Sequence, residues 1–62
     1  MKINILSEPP KEGAFLSIWE YNGEIFSDSF RWNGDLEIFN VAEDRWKKFY
    51  EEFYGEYFVQ FK

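Results

Sequence analysis

The chain has 62 residues, with twelve acidic and seven basic side chains, a net charge of −5, and no His or Cys. This composition excludes a disulfide framework and a Cys/His metal site, and no apolar run approaches the roughly 18 residues that a membrane helix needs. Eight Phe, four Tyr and three Trp exclude a disordered chain, because so many large rings collapse in water. At this length we expect a single small domain spanning residues 1–62.

Four β-strands are predicted in the first two thirds of the chain. Residues 2–6 alternate in polarity as a short strand does, and the two prolines of residues 7–13 indicate a loop. Asn-Gly pairs at 22–23 and 33–34 separate β-rich runs, and Asn-Gly favours the two-residue hairpin turn in which both residues have positive φ. We therefore predict a three-stranded antiparallel meander with strands over 14–21, 24–32 and 35–40.

Residues 41–54 change to helical periodicity. Asn40 resembles an N-cap with Glu43 at the third helical position of a capping box, and Gly55 suits the residue after a helix end. The helix would carry a stripe made of Ala42, Trp46, Phe49, Tyr50 and Phe53. Residues 56–61 alternate again as a last strand. The predicted fold is α+β, an antiparallel β-meander in the order β-β-β-β-α-β with one amphipathic helix packed on the sheet.

Two-residue turns would fix the register of both hairpins and so assign side chains to the two faces of the sheet. We expect Phe15 opposite Phe30 in the first hairpin, and Phe30 opposite Glu37 in the second. The aromatic face then carries Phe15, Trp19, Tyr21, Phe26, Phe30, Trp32 and Phe39, together with Glu24, Asp28, Asp35 and Glu37. The aliphatic face carries Leu16, Ile18, Ile25, Leu36 and Ile38, with Ser27 and Ser29 at its centre.

Neither predicted face is polar, although a small antiparallel sheet usually leaves one face polar. We expect the helix to pack on the aliphatic face, where the two central serines let its aromatic stripe approach closely. The aromatic face would then stay partly open. Two alternatives exist: a strongly curved, barrel-like sheet that buries most of the rings, and a bulge at residues 27–29 that shifts the register.

The side chains offer little catalytic chemistry. Without His or Cys the chain lacks a Ser-His or Cys-His pair. The adjacent acids Glu43-Asp44 and Glu51-Glu52 would point about 100° apart on a helix and be solvated. No Gly-rich phosphate loop and no calcium-loop spacing occurs. We expect no enzyme activity, no cofactor and no metal site.

An acidic surface with aromatic side chains is typical of a site for a basic protein partner, because the rings anchor the contact and the carboxylates steer it. Asp28 supports this interpretation, since a carboxylate between Phe26 and Phe30 suits a core poorly. Residues 20–56 carry ten acids and four bases, so a phosphate backbone would be repelled. The predicted partner-binding residues are Trp19, Tyr21, Glu24, Phe26, Asp28, Phe30, Trp32, Asp35 and Glu37.

We therefore expect a cytoplasmic, non-enzymatic protein-binding domain that occupies the basic, nucleic-acid-binding surface of another protein, as small acidic inhibitors of phages and mobile elements do. We expect neither direct nucleic-acid binding nor membrane insertion, and the apolar run at the N-terminus is too short for a signal peptide. Two alternatives stay open. The uncovered sheet face could close a homodimer, or Trp19, Tyr21 and Trp32 could form a platform for a carbohydrate or peptide.

Overall fold

The computed structural model describes residues 2–53 and 55–61, which form one antiparallel sheet. Its strands are β1 (Ile3–Leu6), β2 (Ala14–Tyr21), β3 (Glu24–Asn33), β4 (Asp35–Asn40), β5 (Arg45–Lys48) and β6 (Tyr57–Phe61). They are ordered β1-β6-β2-β3-β4-β5, so β1 and β5 are the edge strands. The described residues contain no helix. The predicted α+β fold is therefore wrong, and the fold is all-β.

The β2–β3 hairpin has the predicted turn and the predicted register. Asn22 has a φ of 52° and Gly23 a φ of 78°, as a type I′ turn requires. Phe15 lies opposite Phe30, and their rings stack with centroids 5.4 Å apart. The ladder runs through residues 27–29 without interruption, so the alternative of a bulge there is also wrong.

The β3–β4 register differs by one residue from the predicted one. The prediction assumed positive φ at both Asn33 and Gly34, but only Gly34 has it, at 80°. Asn33 pairs directly with Asp35, and Phe30 therefore lies opposite Ile38. Because side chains alternate along a strand, a shift of one residue exchanges the two faces of β4. The residues that change faces are Asp35, Leu36, Glu37, Ile38 and Phe39.

The middle of the aromatic face forms the core of the molecule, whereas Tyr21, Phe26 and Trp32 toward its ends stay exposed. The sequence predicted a partly open aromatic face, with the core on the other side of the sheet. Phe15, Phe30 and Phe58 are each 3% exposed. The residues that pack against these three rings are Leu6, Leu36, Ile38, Phe49 and Phe53. Gln60 is also buried on this face, and its side-chain amide donates a hydrogen bond of 2.7 Å to the carbonyl of Glu12. The register shift thus completes the core, because it brings two aliphatic side chains of β4 beside Phe30.

The core face is covered by residues 49–53, which follow β5 and which we call the crossover. The N–H of Phe49 donates to the carbonyl of Leu36 at 2.9 Å, which extends the pairing of β5 with β4 by one residue. Phe53 then places its ring 4.9, 5.6 and 5.9 Å from the three buried rings. The last position of the predicted helix, Tyr54, lies outside the described residues. Burial of the aromatic face therefore comes from this crossover, and not from barrel closure.

The predicted helix stops after one turn, although its cap is present. The side-chain oxygen of Asn40 accepts a hydrogen bond of 2.9 Å from the N–H of Glu43, as an N-cap does. The N–H of Asp44 donates to the carbonyl of Val41 at 3.2 Å. Asp44 then has a φ of 54°, a left-handed conformation that ends the turn. The next residues, Arg45–Lys48, pair with β4 as a strand.

Gly55 lies where the chain that leads into β6 approaches β2 closely, and not at a helix end. A Cβ at this position would overlap the hydroxyl oxygen of Ser17 and lie 3.3 Å from its Cβ. The following residue, Glu56, donates its N–H to the carbonyl of Ile18 at 2.8 Å. The chain is therefore held against β2 at this point, where only glycine fits.

Gly55→Ala is expected to lower the free energy of unfolding by about 1–3 kcal/mol, because the added methyl overpacks the contact with Ser17. Ser17→Ala removes the overlapping hydroxyl, so the double variant should lose less stability than the sum of the two single losses. Urea denaturation of all four proteins measures this. If the stability losses of the two single variants simply add up to that of the double variant, the contact with Ser17 is not the reason why residue 55 is glycine.

Candidate functional site

The β2–β3 hairpin extends beyond the rest of the sheet as a two-stranded arm, which we define as residues 19–26. In the described ladders, β6 pairs with β2 only at residues 16–18, and β4 pairs with β3 only at residues 30–33. The residues of the arm pair only with one another. Both strands of the arm consequently have a backbone edge that no neighbouring strand of the described chain covers.

The arm carries apolar and acidic side chains and no basic one. Its exposed large apolar side chains are Tyr21 at 66%, Ile25 at 76% and Phe26 at 38%. Trp19 stacks on Phe26 with ring centroids 5.9 Å apart and an interplanar angle of 20°. Its exposed acids are Glu20 and Glu24. Residues 12–30 contain no Lys or Arg at all, so the arm is an acidic element with an aromatic pair at the end where it joins the sheet.

Asp28 lies at the base of the arm, on the core face between Phe26 and Phe30. It is partly buried, and burial raises the pKa of its carboxyl above the ordinary value. None of the ion pairs among the described residues involves Asp28. The end of the core next to the arm therefore carries a carboxylate that is partly desolvated and takes part in none of the ion pairs among the described residues.

Four of the basic side chains form ion pairs on the β4–β5 side of the sheet. The ion pairs are Arg31–Glu37 at 2.7 Å, Lys48–Asp35 at 3.4 Å, Arg45–Glu43 at 3.6 Å and Lys47–Glu43. The hydrogen bond from Lys47 lowers the pKa of the Glu43 carboxyl, and Arg45 adds to this. The guanidinium of Arg31 also lies over the ring of Trp46, 4.4 Å from its centroid. These four positive charges thus have acidic partners outside the arm, whereas the acids of the arm take part in none of the ion pairs among the described residues.

The structure keeps part of the predicted partner-binding set together and separates the rest. On one face of the arm and at its base lie Trp19, Tyr21, Glu24, Phe26 and Asp28. Phe30 is a core residue, 3% exposed. Trp32 lies at the far end of β3, where its indole N–H donates to the carbonyl of Pro10 at 2.9 Å. The register shift moves Asp35 and Glu37 to the opposite face of the sheet.

Two exposed residues of the arm, Glu20 and Ile25, were not predicted as part of the site. The sequence predicts Ile25 on the aliphatic face, under a covering helix. The signal that points to the whole arm is the run without Lys or Arg over residues 12–30. That run combined with a type I′ turn predicts an acidic hairpin, but it does not predict that the hairpin extends beyond its neighbours.

Residues 2–53 and 55–61 contain neither of two other kinds of site, a metal centre and a membrane-spanning helix. This part of the chain has no group of three or more acidic side chains placed to hold a metal ion. It also has no helix of the length and apolarity that crossing a membrane requires. Comparison with protein-family models, with curated proteins and with solved structures gives no match. The function must therefore be inferred from the geometry of the surface.

Asp28→Asn is expected to raise the melting temperature slightly at pH 7. Because burial raises the folded-state pKa, the folded protein binds the proton more tightly than the unfolded chain. Ionisation of Asp28 therefore costs stability as the pH rises from the ordinary value of 3.8 through the raised folded-state value. The effect is small because solvent still screens a partly buried carboxylate.

Thermal denaturation across the pH range checks this expectation. The Asn variant should be the more stable protein at neutral pH, and the difference should disappear in acid, where Asp28 is protonated in both states. A variant that is less stable than the parent at neutral pH would show that the ionised carboxylate makes a favourable contact.

Proposed function

We propose that this protein is a non-enzymatic protein-binding domain and that the arm recognises a partner with a basic surface. The observation that carries the proposal is the arm itself, which projects from the sheet with exposed aromatic and acidic side chains and no base. Aromatic side chains supply most of the energy at protein interfaces. Acidic side chains beside them raise the rate of encounter with a basic partner and exclude acidic ones.

The charge distribution supports this choice of partner. The chain has a net charge of −5, and its described ion pairs all lie on the β4–β5 side of the sheet. The negative field at the arm is therefore not cancelled locally. A phosphate backbone would be repelled at this surface, whereas a protein surface that binds phosphates would be attracted to it.

The finer form of the proposal is that the partner is itself a nucleic-acid-binding protein. Glu24 and Asp28 lie on the same face of β3, with Phe26 between them, whereas Glu20 lies opposite Ile25 on the other face of the arm. In this arrangement the carboxylates take the place of phosphates and the rings take the place of bases. The protein would then act as an inhibitor, of the kind that phages and mobile elements encode, by occupying the partner's binding surface.

Charge reversal of the arm tests the proposal. Glu20→Lys and Glu24→Lys together change the net charge by four units, and both side chains are exposed. The immobilised parent protein should retain a stoichiometric protein from a lysate of its own cells at moderate salt, and heparin should displace that protein. The reversed arm should bind it at least tenfold more weakly, most clearly at low salt, because screening weakens the electrostatic contribution.

The matched control is Glu51→Lys with Glu52→Lys, which changes the net charge equally at exposed positions outside the arm. The control should retain most of the binding, and both variants should keep the stability of the parent to within about 0.5 kcal/mol per substitution. An equal loss of binding in the reversed arm and in the control would show that net charge, and not the arm, determines the binding. Unchanged binding by the reversed arm, or the absence of any partner that heparin displaces, would contradict the proposal.

A further inference from the structure

The second face of the sheet is apolar and has no cover in the described chain. We call it the open face, the side of the sheet opposite to Phe15, Phe30 and Phe58, without the residues of the arm. Its most exposed large apolar side chains are Ile3 at 61%, Ile5 at 70%, Tyr57 at 55% and Phe61 at 51%. A contiguous apolar patch of more than a few hundred Å² on a small protein marks an interaction surface.

The open face is concave in two places. One concavity of about 230 Å³ has seven lining residues, of which five belong to this face: Ala14, Leu16, Ser29, Trp46 and Phe61. The small side chains of Ala14 and Ser29 leave space between the larger ones. A second concavity of about 290 Å³ is lined by Ile5, Ile18, Tyr57 and Val59. Hollows that lie beside protruding apolar side chains allow a matching surface to interlock with them.

The charges of the open face indicate which kind of surface matches it. Arg31 pairs with Glu37, and Lys48 pairs with Asp35. All four side chains lie on this face, so its charges on the β4–β5 side cancel. In a twofold symmetric contact each patch meets its own copy, and a patch with excess charge would repel itself. The open face meets this requirement of near neutrality, whereas the acidic arm does not.

The size of the open face fits a weak dimer. Six strands at a spacing of about 4.8 Å make a sheet about 24 Å wide, and strands of about five residues are about 17 Å long. A face of roughly 400 Å² in projection lies at the low end for a specific interface, as suits a dimer that dissociates at micromolar concentrations.

We propose that the open face binds the open face of a second copy of this chain, so that two sheets pack face to face as a β-sandwich. Each copy already covers its aromatic face with its own crossover segment, so the second sheet supplies the layer that the open face lacks. The arm takes part in the proposed function through its acidic and aromatic side chains. Self-association therefore uses a different surface and is tested separately.

Sedimentation equilibrium of the parent protein from about 1 to about 100 µM should show a monomer–dimer equilibrium. The test variant is Ile5→Glu with Tyr57→Glu, which places two acids in one of the concavities. In a symmetric contact each substitution acts twice, and the dimer dissociation constant should rise by a factor of about a hundred or more. Both side chains are more than half exposed, so the monomer should keep its fold.

The matched control is Val41→Glu with Tyr50→Glu. It replaces the same kinds of side chain at positions that are 83% and 84% exposed and lie outside the strands. The control carries the same added charge and should dimerise like the parent. Circular dichroism verifies the fold of both variants, and Ile3→Glu alone serves as the test variant if the double variant loses its β-sheet spectrum.

A parent protein that is strictly monomeric at about 100 µM would overturn the proposal. A dimer that the test variant leaves intact would overturn it too, because the contact would then lie elsewhere, for example at the edge of β1. Co-sedimentation with phosphatidylcholine vesicles tests whether a lipid surface, and not a second copy, covers the open face. A monomer that binds these vesicles, and loses that binding in the test variant but not in the control, would assign the open face to a lipid surface.

Discussion

Phe53 makes the contact on which the arrangement of the chain depends. Its ring lies within 6 Å of the rings of Phe15, Phe30 and Phe58, and these three come from three adjacent strands. The pairs with Phe30 and Phe58 are edge-to-face, and such pairs contribute about 0.5–1.5 kcal/mol each beyond the apolar area that they bury. The contact attaches the crossover to the sheet and covers the core. It also leads the chain back to β2, where Glu56 and Phe58 begin the pairing of β6.

The position of the crossover decides which surfaces are left for function. Phe49 and Phe53 of the crossover pack on the aromatic side of the sheet. The opposite face therefore keeps its exposed aliphatic side chains. The crossover also leaves the arm uncovered, where Trp19 and Phe26 stack on each other and Tyr21 stays 66% exposed. Two surfaces of different chemistry result: a nearly neutral apolar face and an acidic arm.

The sequence predicts those parts of the fold that local geometry determines. The Asn22-Gly23 turn has its expected positive φ values, and it places Trp19 and Phe26 opposite each other. For this reason the five predicted site residues on the arm and at its base are still together. The hydrogen bond from the N–H of Glu43 to Asn40 is likewise a local feature, and it also forms as predicted.

The parts that the sequence does not predict depend on contacts between distant residues. The cap at Asn40 forms the same hydrogen bond in a single turn as in a helix, so the cap cannot show whether a helix continues. The β4 strand decides this, because it pairs with Arg45–Lys48. Asn33-Gly34 permits two registers that differ by one residue. The core selects the register that brings Ile38 opposite Phe30.

Nuclear Overhauser effects from the ring protons of Phe53, together with Cα chemical shifts for residues 41–53, test the central claim directly. The structure predicts cross-peaks from Phe53 to the rings of Phe30 and Phe58, and extended rather than helical shifts at Arg45–Lys48. Helical shifts throughout residues 41–53, with cross-peaks from Phe53 to Leu16 and Ile18 instead, would contradict it. That result would place a helix on the open face and leave the aromatic face uncovered.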